Sequence, residues 1–96
     1  MHSVIAEKPG DLVTVDYYGP LPQSRSRVAY IFVVIDAFSK FVKLYPLRRA
    51  QAKISAKKIV DDFHRTLPVR VVLSDHGTQF QSKHWQETLK EWGIQP

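Results

Sequence analysis

Ala52, Ala56, Ile59, Val60, Phe63 and Leu67 recur at helical spacing in the middle of a chain whose other apolar runs are short and strand-like. Lys53, Lys57, Lys58, Asp61, Asp62 and Arg65 fall elsewhere around the same wheel. An amphipathic helix set between two strands is a crossover, and the strands it joins run parallel. This helix is predicted over about Ala50 to Thr66, closed by Pro68. Three strand-like runs precede it. Asp11 to Tyr17 is the first, and Val28 to Ile35 is apolar, β-branched and aromatic enough for a buried second strand. Phe41 to Tyr45 is the third, where Pro46 marks an edge position or a strand end. Close in sequence, these three are expected to pair antiparallel. A fourth strand, Val69 to Ser74, follows the helix, and Trp85, Leu89 and Trp92 mark a second helix from about Ser82 to Trp92 with Gly93 as its stop. The order βββαβα describes a mixed α/β sheet.

Strand direction then decides which acids can meet. The first and fourth strands point the same way, and each ends in an aspartate, Asp16 and Asp75. The strand tips of an α/β sheet are where carboxylates from distant parts of a chain can converge on one metal-binding point. Asp36 ends the reversed second strand and is expected at the opposite edge of the sheet, away from the other two.

Composition narrows the partners. Lys and Arg outnumber Asp and Glu by 14 to 9, for a net charge of +5, which favours an anionic partner such as nucleic acid, although many small basic domains bind nothing anionic. The absence of cysteine removes disulfides, thiol nucleophiles and cysteine-ligated zinc. No stretch reaches the roughly 18 apolar residues that span a bilayer, and no membrane partner is expected. Residues 1 to 10 end in the turn pair Pro9-Gly10 and read as a loose lead-in, leaving 11 to 96 as the single domain.

Three strings, in order, carry a resemblance: Val15-Asp16-Tyr17-Tyr18-Gly19-Pro20-Leu21-Pro22, Val33-Val34-Ile35-Asp36-Ala37-Phe38-Ser39-Lys40, and Leu73-Ser74-Asp75-His76-Gly77-Thr78-Gln79-Phe80. Together they resemble the integrase catalytic core of Ty3/gypsy-type retrotransposons, kin of the retroviral integrases, over essentially Asp11 to Pro96. The resemblance implies a ribonuclease H-like fold and DNA strand transfer: 3′-end processing of the element's DNA, then joining to target DNA, expected in the nucleus. It also implies two Mg²⁺ or Mn²⁺ ions held by two aspartates and a glutamate. Asp16 and Asp75 match the aspartates. The glutamate belongs to a later helix that these 96 residues do not reach, so a partial core, inactive or nearly so alone, is expected. The pattern departs at Thr66-Leu67-Pro68, where the family usually has a glycine ahead of the proline, which leaves the helix exit least defined.

Other residues carry weaker signals. His76 could contact a phosphate, but a histidine in a polar loop is more often merely solvated. Gln79 and Thr78 could touch a DNA backbone, with turn and helix-cap chemistry as the commoner role. Arg25 and Arg27 in the loop after the first strand, and Lys40, Lys43, Arg48 and Arg49, could hold phosphates or form a solvated face. The tryptophans are read as core. Two alternatives to the enzyme remain: an inactive nucleic-acid-binding or assembly module, and another ribonuclease H-like nuclease acting on RNA–DNA hybrids. An unfinished sheet would leave the fourth strand's outer edge and parts of the helix faces exposed, so self-association, homo-oligomeric or less ordered, is expected.

Overall fold

In the computed structural model, residues 6–22, 27–74 and 82–96 are described. Arg25, Asp75, His76, Thr78 and Gln79 lie outside them. Four strands, β1 (Val13–Tyr18), β2 (Tyr30–Asp36), β3 (Val42–Leu47) and β4 (Val72–Ser74), form one sheet in the order β3-β2-β1-β4. β1 pairs antiparallel with β2, β2 antiparallel with β3, and β4 parallel with β1. The strand directions are those expected from the crossover, and β3 with Pro46 is an edge strand. Helical spacing alone did not say that β4 would pass over two strands to pair with β1.

The crossover spans Ala52 to Thr66 but is not uniform. Helix α1 (Ala52–Lys58) runs into a π-helical segment (Ile59–Phe63), closed by the bond from the His64 N–H to the Ile59 carbonyl, and ends in one α-helical turn, α2 (His64–Thr66). Ile59, Val60 and Phe63 are all buried within this segment. At the helix exit, where no glycine is present, Leu67 goes extended and His64 Nδ1 accepts the Val69 N–H at 2.9 Å. Helix α3 (Lys83–Glu91) begins with the Ser82 hydroxyl accepting the Trp85 N–H at 3.3 Å. It ends in a Schellman motif: Gly93, at φ +74°, and Ile94 donate back to Lys90 and Leu89. The motif aims the chain at β4, whose Val72 N–H donates to the Gln95 carbonyl at 2.9 Å. The outer edge of β4, expected to stand unpaired, is therefore partly covered by Gln95.

All the helices pack on one face of the sheet. Val13, Val15, Phe32, Val34, Tyr45 and Leu47 point to that face and meet Ala56, Ile59, Phe63, Trp85, Leu89 and Ile94. Trp85 is buried as expected, but Trp92 is half exposed. Its position is the C-cap, one residue past the helix, so its ring leaves the buried stripe and sits 6.4 Å from the His64 ring.

Residues 6 to 10 form neither helix nor strand, yet they are anchored rather than loose. The Gly10 N–H donates to Asp36 Oδ1 at 2.9 Å and the Gly10 carbonyl accepts the Arg70 N–H at 2.8 Å. Gly10 has φ +89°, and a Cβ there would lie 1.9 Å from the Pro68 carbonyl oxygen, so only glycine fits between the lead-in and the crossover exit.

Candidate active site

Because β1, β3 and β4 are parallel in direction, their C-terminal ends share one edge of the sheet. Asp16 lies near that edge, opposite Val33 on β2, on the face away from the helices. Its side chain is exposed and Oδ1 accepts the Tyr17 N–H at 2.8 Å. Around it Thr14, Val15, Tyr18, Val33 and Ile35 line a depression of about 200 Å³. The parallel ladder ends at Val15↔Ser74, so Asp16 and Asp75 are each the next residue in their chains.

The strand tip is tied down from the other face. Tyr17 turns toward the helices, its ring 5.2 Å from Phe32, and its hydroxyl bonds the fully buried Ser55 Oγ of α1. Ser55 in turn donates to the Gln51 carbonyl at 3.0 Å. Burial raises the Tyr17 phenol above its ordinary value, an effect the Ser55 bond partly offsets. The tyrosine stays neutral, which suits a structural tie.

Asp36 sits at the other end of β1, opposite Val13. It is fully buried and accepts bonds from the Gly10 and Ser39 N–H groups and the Ser39 hydroxyl. Its role is to close the base of the sheet, as strand direction required. Lys40 belongs to the same end: at φ +65° in the β2–β3 turn, it donates from Nζ to the Ala37 carbonyl at 2.9 Å, so the fold does not bring it to Asp16. Arg27, exposed and at φ +59°, approaches β2 from the Asp16 edge.

Lys43 is also withdrawn from any phosphate-binding set. On the helix-facing side of β3, its Nζ lies 2.7 Å from Asp62 Oδ2, which also accepts the Tyr45 hydroxyl at 2.7 Å. These two bonds, with the nearby charge of Lys58, hold Asp62 below its ordinary value, while burial and Asp62 push Tyr45 up. Sequence reasoning missed this cluster. A lysine at an inward-facing position of an edge strand was the available signal, since it calls for an acid on the covering helix.

Among the described residues no group of three His, Asp or Glu side chains is placed to hold a metal ion. The described part of the edge supplies one carboxylate, Asp16, whose hard anionic oxygens suit Mg²⁺ or Mn²⁺.

An antiparallel three-strand meander, a helical crossover and a fourth strand returning parallel beside the first, with an acid at the shared edge, define an α/β core of the ribonuclease H-like class. Residues 6–96 match the integrase core domain, and the chain belongs to that family. It is 36% identical over 88 residues to the Pro-Pol polyprotein of feline foamy virus, a match covering 92% of this chain and 7% of that protein. It is 30% identical over 93 residues to the gypsy retrotransposon integrase-like protein 1 of Macaca fascicularis, covering 97% of this chain and 18% of the relative, and 29% identical over the same length to the human protein of that name. The chain thus spans less than a fifth of the length of these relatives.

Proposed function

We propose that this core serves DNA integration, the joining of a retroelement's DNA ends to target DNA, with Asp16 and Asp75 as the metal-holding carboxylates. The observation that carries the proposal is the β1–β4 register. The parallel ladder runs in register up to Val15↔Ser74, and Asp16 and Asp75 are the residues that follow its last pair in sequence. Family membership supports the chemistry, since integrase cores act on DNA and use divalent metal ions.

When bound, the metal ions supply activation of the attacking oxygen and stabilisation of the leaving oxygen in an in-line phosphoryl displacement. The chain's own part is positional. The Tyr17 N–H orients one Asp16 oxygen, and the Tyr17–Ser55 bond fixes the strand tip against α1. Integration into chromosomal DNA would place the work in the nucleus.

Mn²⁺ binding to the chain, followed by water-proton relaxation, tests the assignment. Asp16→Asn and Asp75→Asn should each weaken binding by about tenfold or more, and Asp36→Asn should leave it unchanged. Equal Mn²⁺ affinity in the parent and the Asp16 variant would overturn the metal site.

A further inference from the structure

Leu67, Pro68, Val69 and Arg70 carry the chain out of the crossover helix toward β4. The Leu67 N–H donates to the Phe63 carbonyl and the Arg70 N–H to the Gly10 carbonyl, each at 2.8 Å, and Pro68 has no N–H to place. Val69 is the exception. It is only 4% exposed, and its N–H is held by a side chain, His64 Nδ1, at 2.9 Å.

That bond fixes the state of the imidazole. A neutral ring that accepts at Nδ1 carries its hydrogen on Nε2, which has no hydrogen-bond partner among the described residues. The place left for a second proton is Nδ1, the atom that holds the bond. An imidazolium has an N–H at both nitrogens and accepts at neither. Protonation therefore turns Nδ1 into a donor facing another donor, and the buried Val69 N–H loses its partner.

No neighbouring acid relieves this conflict. Asp61 and Arg65 on the same crossover, Arg70 on the way to β4, and Lys90 and Glu91 beside Trp92 are all exposed. The ion pairs among the described residues join Lys43 to Asp62, Arg70 to Asp11 and Lys83 to Glu87, and none includes His64. What α3 presents to the imidazole is the Trp92 ring, nearly perpendicular to it at 6.4 Å.

We infer that His64 is a pH-sensitive latch on the crossover exit: neutral, it holds Val69 and the approach to β4, and protonated, it lets them go. The unfolded chain takes up the proton in the ordinary imidazole range, about pH 6.5, whereas the folded chain takes it up only by giving up this bond. The stabilisation is therefore complete above that range and lost as pH falls below it. The latch stands whether or not Asp16 and Asp75 hold a metal ion.

Two substitutions separate the bond from the ring. His64→Asn places an oxygen where Nδ1 stands, one bond from Cγ, and that oxygen accepts an N–H without titrating. His64→Phe keeps a ring against Trp92 and accepts nothing. Thermal unfolding near neutral pH should find the parent and His64→Asn together, with His64→Phe roughly 5 °C lower. About two pH units lower, the parent should fall to the level of His64→Phe while His64→Asn keeps its lead. All other titrating groups are common to the three chains and cancel in the differences. The Val69 amide resonance should shift between the two pH values in the parent and stay in place in His64→Asn, a comparison that holds even where His64→Phe fails to fold. Parallel losses in the parent and His64→Asn, with an unmoved Val69 amide, would overturn the latch. So would His64→Asn melting with His64→Phe at neutral pH, which would assign the ring to packing against Trp92.

Discussion

Asp36 is fully buried and still charged. Burial favours its neutral form, but the Ser39 hydroxyl and the N–H groups of Gly10, Ser39 and Phe38 together outweigh that and hold the carboxyl below its ordinary value. The unfolded chain, with an ordinary carboxyl near pH 4, then takes up protons before the native one does as pH falls. The stabilisation is therefore complete above about pH 4 and is lost as pH drops through the lowered native value. Asp36→Asn turns one acceptor into an NH₂ group facing donors, and is expected to cost about 2 to 3 kcal/mol at neutral pH and to flatten the acid limb of stability. Urea midpoints between neutral pH and pH 3 check this; an acid limb as steep as the parent's would assign the sensitivity to Asp62 instead. That Asp36 stands apart from Asp16 was legible in the chain, because alternating strand directions put the ends of β1 and β2 at opposite edges. Trp92 was not, since the helix stops one residue short of it. The Lys43 partner was equally hidden, 19 residues away on a helix whose phase shifts at the π-helical segment.

At the level of elements, the site depends on how β1 is held between two neighbours and one helix. Ladders to β2 and β4 fix its height, but its position against α1 depends on Tyr17 reaching Ser55. Tyr17→Phe removes that bond while keeping the ring against Phe32, and should cost about 1 kcal/mol. Ser55→Ala should cost a similar amount, and the two losses should not add in the double variant, because each removes the same contact. Thermal unfolding of the two single variants and the double measures the coupling; full additivity would show that the hydroxyls act independently. Apolar periodicity made the existence, order and direction of these elements readable. It did not give the neighbour of β4, which is chosen by sheet closure around the helix layer. Nor did it give the π-helical segment, because Ile59, Val60 and Phe63 are spaced as a regular helix would have them.

Among its described residues the molecule is one-sided. Its helices cover one face of the sheet, while on the other Tyr18, Val42, Leu44 and Leu73 are about half exposed, with Leu44 at 60% and Leu73 at 56%. Ile35 joins Val42 across β2 and β3, while Thr14 and Asp16 of β1 stand between them and Leu73 of β4. Exposed apolar side chains grouped in this way mark a surface that associates. Self-association was expected from the sequence, but by a different route: an open edge at β4 and exposed helix faces. Gln95 covers part of that edge and Trp85 and Leu89 are buried, so among the described residues the second sheet face carries the exposed apolar side chains on which the prediction rests. Leu44→Lys with Leu73→Lys places charges on the two outer strands without touching the buried core, and should shift the chain toward monomer at high concentration with little change in melting. Sedimentation velocity across a wide concentration range measures this shift. Association that persists in the double variant would assign the contact to the outer backbone of β3 instead, where a strand from a second copy could pair.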